Sequence, residues 1–180
     1  MRVTQRILGI LALILVIGIG DATAQYGLGI SYERRNDTPT NGFGLQLERE
    51  LLGSVPFISV KARLHGSYFS EEADFTVDMK QFNRSTIESY DFGAAALGGV
   101  NLGLFRPYVG LGIGTENWEY DDGSSNTSYY YGIAGLAITP LPLLKPYIEY
   151  RVSGYNDISE ARKEIGEGAA RFHIGITFSF

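Results

Sequence analysis

From residue 25 onward, apolar and polar side chains alternate with a period of two, and helical periodicity is almost absent. The alternation predicts eight strands, at 25–34, 42–51, 57–70, 86–101, 107–120, 128–139, 146–155 and 169–180. In the first, Tyr26, Leu28, Ile30 and Tyr32 share one face, opposite Gly27, Gly29, Ser31 and Glu33. In the last, Phe172, Ile174, Ile176, Phe178 and Phe180 oppose Arg171, His173, Gly175, Thr177 and Ser179. The stretch 128–139 is apolar on both faces, so its inward and outward positions cannot be told apart. These stretches exceed the ~5–6 residues of an ordinary soluble strand. They match the ~9–11 residues that a tilted strand needs to cross a bilayer.

The connections alternate in kind. Those at 52–56, 102–106 and 140–145 are short and rich in Leu and Pro. Those at 35–41, 71–85, 121–127 and 156–168 are polar, and two of them are long. An up-and-down barrel has this asymmetry, with tight turns at its periplasmic end and longer loops outside. The alternation inside 71–85 predicts that the third and fourth strands run on as a hairpin above the membrane. The segment 156–168 is expected to hold a short helical turn. Arg106-Pro-Tyr-Val and Lys145-Pro-Tyr-Ile each open a strand, one of the few places where proline's missing N–H does not break a ladder.

Ahead of the strands, Arg2 and Arg6 precede the apolar run at 7–20, and Ala22-Thr23-Ala24 follows it. A basic start, a short apolar core and an Ala-x-Ala site predict a secretory signal peptide over 1–24, with the barrel domain at 25–180. Composition then removes several function classes. With no cysteine there is no disulfide framework, thiolate metal site or cysteine nucleophile. A net charge of −5 and a pI near 5.0 argue against a nucleic-acid partner.

An apolar face on each strand fits either a soluble lipocalin-like barrel, with that face inward, or a membrane barrel, with it outward. Three features favour lipid. The polar face mixes long charged side chains with Gly27, Gly29, Gly44, Gly93, Gly110, Gly112, Gly114 and Gly175, which would leave lumen space for Arg and Lys stems. Aromatic residues, among them Tyr26, Tyr32, Tyr68, Tyr90, Tyr108, Trp118, Tyr129, Tyr131, Tyr147 and Tyr155, sit towards strand ends, as interface girdles would. Finally, the apolar alternation of the last strand runs out to Phe180, whereas termini of soluble domains fray.

The sequence Arg106-Pro-Tyr-Val-Gly-Leu-Gly-Ile-Gly114, the segment Lys145-Pro-Tyr-Ile-Glu-Tyr-Arg151 and the terminal Phe180 resemble small outer-membrane barrels of the OmpA/OmpX-like superfamily. The resemblance implies an all-β, eight-stranded antiparallel up-and-down transmembrane barrel in a bacterial outer membrane. It also implies that Phe172, Ile174, Ile176, Phe178 and Phe180 form the signal read by the barrel assembly machinery. Outer-membrane lipid and lipopolysaccharide are the expected surroundings, and the loops are the expected contact with any extracellular partner.

The candidate chemistry lies on the polar face: Glu33, Glu48, Lys61, Arg63, His65, Asp91, Glu116, Glu149, Arg151, Arg171 and His173. Both signs are present, and an eight-stranded bore is only wide enough to be filled by side chains. The expectation is a lumen plugged by salt bridges, with a narrow water or ion path as the alternative. His65-Gly66-Ser67 resembles the His-x-Ser pair of lipid A deacylases, but parity turns both side chains towards the lumen. No cofactor or metal set is expected. The functional expectation is a non-enzymatic protein of envelope integrity or surface interaction; a narrow porin and a lipid A-modifying enzyme are the alternatives.

Overall fold

A computed structural model describes residues 26–52, 57–77, 80–120, 123–139, 143–155 and 170–180. The proposed signal peptide and the segment 156–168 lie outside the described residues. Eight strands close into one antiparallel barrel, each paired with its sequence neighbours and β8 returning to β1. They are β1 (Tyr26–Arg35), β2 (Asn41–Glu50), β3 (Ile58–Val77), β4 (Lys80–Val100), β5 (Phe105–Tyr120), β6 (Gly123–Ile138), β7 (Leu144–Tyr155) and β8 (Ala170–Ser179). The seam is sealed end to end: Tyr26 N donates to Phe180 O and Phe180 N to Tyr26 O, both at 2.9 Å, with their rings stacked. Closure leaves no open sheet edge along the barrel wall.

Burial follows the alternation with the sense of a membrane barrel. Along β1 the glycines, Ser31, Glu33 and Arg35 are buried, while Leu28, Ile30 and Tyr32 are exposed. Leu111 is 76% exposed and Ile113 70%, whereas Asp91, Glu116 and Arg171 are fully buried. A barrel in water would hold these two sets the other way round, because exposed apolar area and buried charge are both unfavourable there.

The hairpin expected within 71–85 is present, with 71–77 and 80–85 in strand, and β6 departs from the sequence reading by beginning at Gly123, inside the expected loop at 121–127. β3 pairs with β2 only as far as Phe69, and β4 with β5 only from Glu88. Beyond those points β3 and β4 pair with each other alone, to Val77↔Lys80. At ~3.3 Å per residue the ribbon stands roughly 25 Å above the barrel wall. At the other end the β4–β5 turn is tight, four residues at 101–104. Between β4 and β5, Gly103 takes a φ of +79°, a conformation that a side chain would strain, and its carbonyl accepts from Thr139 Oγ1 at 2.6 Å.

The aromatic residues divide into two groups, which corrects the girdle reading. Tyr32, Phe43, Tyr68 and Tyr90 face outward on four adjacent strands, directly paired as Tyr32↔Phe43, Phe43↔Tyr68 and Tyr68↔Tyr90. The phenols of Tyr68 and Tyr90 both donate to Glu88 at 2.8 Å, one step further from the apolar band. That row is an interface belt. Tyr108, Trp118, Tyr129, Tyr131 and Tyr147, however, are buried inside the barrel. Tyr108, Trp118 and Tyr147 share the parity of the charged residues on β5 and β7, whereas β6, with Tyr129 and Tyr131, carries no charge to mark its inner face.

Candidate functional site in the barrel interior

Inward parity brings the charged residues of seven strands, all but β6, into one bore. Pairing register then decides which of them meet. All eleven polar-face residues named from the sequence lie in this interior, and only Lys61 and the groups beside it retain appreciable exposure.

From the short-turn end upward, the contacts form layers. Ser59 donates to Glu50 at 2.5 Å, and Arg106 Nε to Asn101 at 2.5 Å. Next, Glu48 accepts from Lys61 at 2.6 Å and from Arg63 at 2.7 and 3.0 Å. Arg63 also reaches across the bore to Glu149, whose Oε2 takes the Tyr108 hydroxyl at 2.9 Å. In the middle layer Arg151 donates to His65 Nε2 at 2.9 Å, and the His65 ring meets Tyr131 edge-on. Glu33 Oε1 gathers Ser31 at 3.1 Å, Ser67 at 2.9 Å and His173 Nδ1 at 3.2 Å.

Above these, Arg171 pairs with Asp91 and lies 3.2 Å from Glu116. Glu116 also takes Arg35 at 2.6 Å and Ser89 at 2.6 Å. Phe69, Ile87 and Trp118, none more than 2% exposed, cover this quartet on the side of the long hairpins. The Arg35 guanidinium lies over the Phe69 ring, 3.5 Å from its centroid, so the cap is held by cation–π contact as well as packing. Glu48, Asp91, Glu116 and Glu149 each meet an arginine, which is the condition for burying charge without a large desolvation penalty.

The lumen glycines make room for several kinds of side chain, tyrosine rings prominent among them, rather than for Arg and Lys stems. A Cβ on Gly112 or Gly114 would strike the rings of Tyr131 and Tyr129, and one on Gly135 or Gly175 those of Tyr108 and Tyr147. Glycine and tyrosine face each other as cross-strand neighbours, as in Gly112↔Tyr131 and Gly114↔Tyr129. Only Gly99 has an arginine stem, that of Arg106, among its nearest atoms.

Sequence reasoning missed Arg35, which it left in a loop. The signal was present, since odd-numbered positions of β1 point inward and Arg35 continues that series by one step. It also missed Tyr129, Tyr131 and Ile133, which β6 turns inward. The His65-Gly66-Ser67 triplet is not arranged as a base and its nucleophile: His65 is engaged by Arg151 and Tyr131, and Ser67 donates to Glu33. Neither side chain faces lipid. Phe172, Ile174, Ile176, Phe178 and Phe180 form an exposed outward stripe along β8 and the barrel seam.

The sequence itself matches no family model and no curated protein. Solved structures do match the barrel. A major outer membrane protein from Thermus thermophilus aligns with a TM-score of 0.59 and 14% identity, covering 88% of this chain and 100% of that one. The fold is that of the small OmpA/OmpX-like barrels. Neisserial surface protein A aligns with a TM-score of 0.56 and 11% identity, covering 87% of this chain and 97% of that one. For the N-terminal β-barrel domain of Pseudomonas aeruginosa OprF the values are 0.53 and 16%, with 87% and 97% covered. At such identities the OmpA/OmpX-like likeness is one of backbone architecture. The interior side chains are this chain's own.

Proposed function

We propose that this chain is a bacterial outer-membrane barrel with a plugged, non-catalytic interior, acting as a structural element of the envelope and presenting its long hairpins at the cell surface. The observation that carries the reading is the inversion of burial: a charged, salt-bridged interior inside an exposed sleeve of Leu, Ile, Val and Phe. So large an exposed apolar surface needs lipid around it. The similar solved structures are outer-membrane proteins, which supports that membrane in particular. In this reading the Tyr32–Phe43–Tyr68–Tyr90 row sits among lipopolysaccharide head groups, and the protruding β3–β4 ribbon is the surface for any extracellular partner. The outward stripe of β8, from Phe172 to Phe180, is the segment offered to the barrel assembly machinery.

The test has two parts. The folded chain is expected to fractionate with outer membranes and to migrate differently on gels before and after heating. In planar bilayers it is expected to give no stable channels, because Arg63–Glu149, Arg171–Asp91 and the Phe69–Ile87–Trp118 cap close the bore at separate depths. Reproducible unitary conductance would replace the plug with a pore. Recovery as a water-soluble monomer would overturn the membrane assignment.

A further inference from the structure

The plug is balanced in charge through its middle but not at its short-turn mouth. A cavity of about 30 Å³ opens there, lined by Lys61, Arg63, Arg106 and Lys145 against a single lining carboxylate, Glu48. A space of that size holds an ordered water or the oxygens of a small anion. Glu48 is already shared between Lys61 and Arg63. Glu50, behind the lining, accepts from Ser59 and stands 3.8 Å from Arg106. Arg106 Nη1 is buried without a hydrogen-bond partner.

Lys145 is half-buried at this mouth, and no carboxylate of the described residues stands within ion-pair distance of it. Lys145 shares the mouth with Lys61 and Arg106, whose carboxylates Glu48 and Glu50 are already engaged, which leaves the Lys145 charge unmatched. That excess of positive charge is an unfavourable arrangement for an empty mouth, and a favourable one for an oxyanion. The repeated motif of the sequence builds it. Arg106-Pro107-Tyr108 and Lys145-Pro146-Tyr147 open β5 and β7, each placing a cation at the rim and a tyrosine ring one inward step deeper. Pro107 and Pro146 are the third residues of β5 and β7, and the buried rings form the floor.

We propose that this mouth is a phosphate-binding site, in which Lys61, Arg106 and Lys145 hold a phosphate group, either free inorganic phosphate or the headgroup of a phospholipid in the adjoining leaflet. The site is a dead end, since Arg63 bonded to Glu149 closes the bore behind it. The proposal rests on the closed barrel and its charges, and it stands whether or not the barrel conducts.

The test titrates inorganic phosphate into the folded chain in lipid-free nonionic micelles, at constant ionic strength with chloride as counter-ion. In parallel, native mass spectrometry reads retention of one phosphatidylglycerol. One of the two is expected to bind saturably, and which one does identifies the source. Lys145→Gln should weaken that binding about tenfold or more, as should Arg106→Gln, since each removes a charge-assisted contact. Arg34→Gln, on the outward face of β1, should leave it unchanged. Folding of each variant is checked by its heat-modifiable gel mobility. In phosphate-free buffer Lys145→Gln should unfold at an equal or higher urea concentration than wild type, because it relieves repulsion. Added phosphate should raise the wild-type midpoint and not that of the variant. Absence of saturable binding by both probes, binding indifferent to Lys145 and Arg106, or a lower midpoint for the phosphate-free variant would each overturn the proposal.

Discussion

Glu116→Ala is expected to lower the stability of the folded barrel by about 3–5 kcal/mol, the cost of stranding buried charge. Glu116 is the common acceptor for Arg35, Arg171 and Ser89, and it is wholly shielded from solvent. Removing it takes from Arg35 and Arg171 the carboxylate they share, beneath the apolar cap of Phe69, Ile87 and Trp118. Glu116→Gln should cost less, because a side-chain carbonyl can still accept, but it should remain clearly destabilising. The measurement is the urea midpoint in micelles, followed by heat-modifiable mobility and by the emission of Trp118. This is the chain's single tryptophan, and it lies buried in the cap. A shift of less than ~1 kcal/mol would mean that water reaches the quartet and that the interior is not dry.

Gly112→Val is expected to cost about 1–3 kcal/mol or prevent closure of the barrel, as overpacking of a tight interior does. A Cβ there would fall on the Tyr131 ring and lie 2.6 Å from the carbonyl of Ala94, which is backbone and cannot swing away. Gly132→Ala, one strand over on the outward face, meets nothing within 4 Å and should change the midpoint by no more than about 0.5 kcal/mol. Tyr131→Ala added to Gly112→Val should recover part of the loss, because two residues in contact do not act additively. Equal effects of the Gly112 and Gly132 substitutions would show that the glycines serve sheet curvature rather than ring space.

These two experiments probe different degrees of legibility. The charged half of the interior was readable because Glu33, Arg63, Asp91 and Arg171 alternate with obvious apolar neighbours, and period two admits one assignment. The tyrosine half was not, because an aromatic ring satisfies either face: Tyr129 and Tyr131 point into the bore while Tyr130 between them points out. Arg35 was lost for a smaller reason, a strand end placed one residue early in a polar stretch. The upper half of β3 and β4 was legible for the opposite reason: apolar and polar residues still alternate through 71–85, and the backbones pair as far as Val77↔Lys80.

What could be known from the chain alone was therefore whatever depends on local periodicity. That covers eight strands, alternating short and long connections, a lipid-facing stripe and a polar counter-face, since strand geometry imposes the period of two wherever the strand ends up. Which cation meets which carboxylate was settled only by closure of the barrel. Arg63 of β3 reaches Glu149 of β7, and Arg171 of β8 reaches Asp91 of β4, because the bore brings non-adjacent strands within reach of one side chain. The same closure gathers Lys61, Arg106 and Lys145, each ordinary on its own strand, around one mouth with too few carboxylates to balance them. Such pairings depend on stagger and bore width, which are properties of the whole sheet and leave no trace in any single segment.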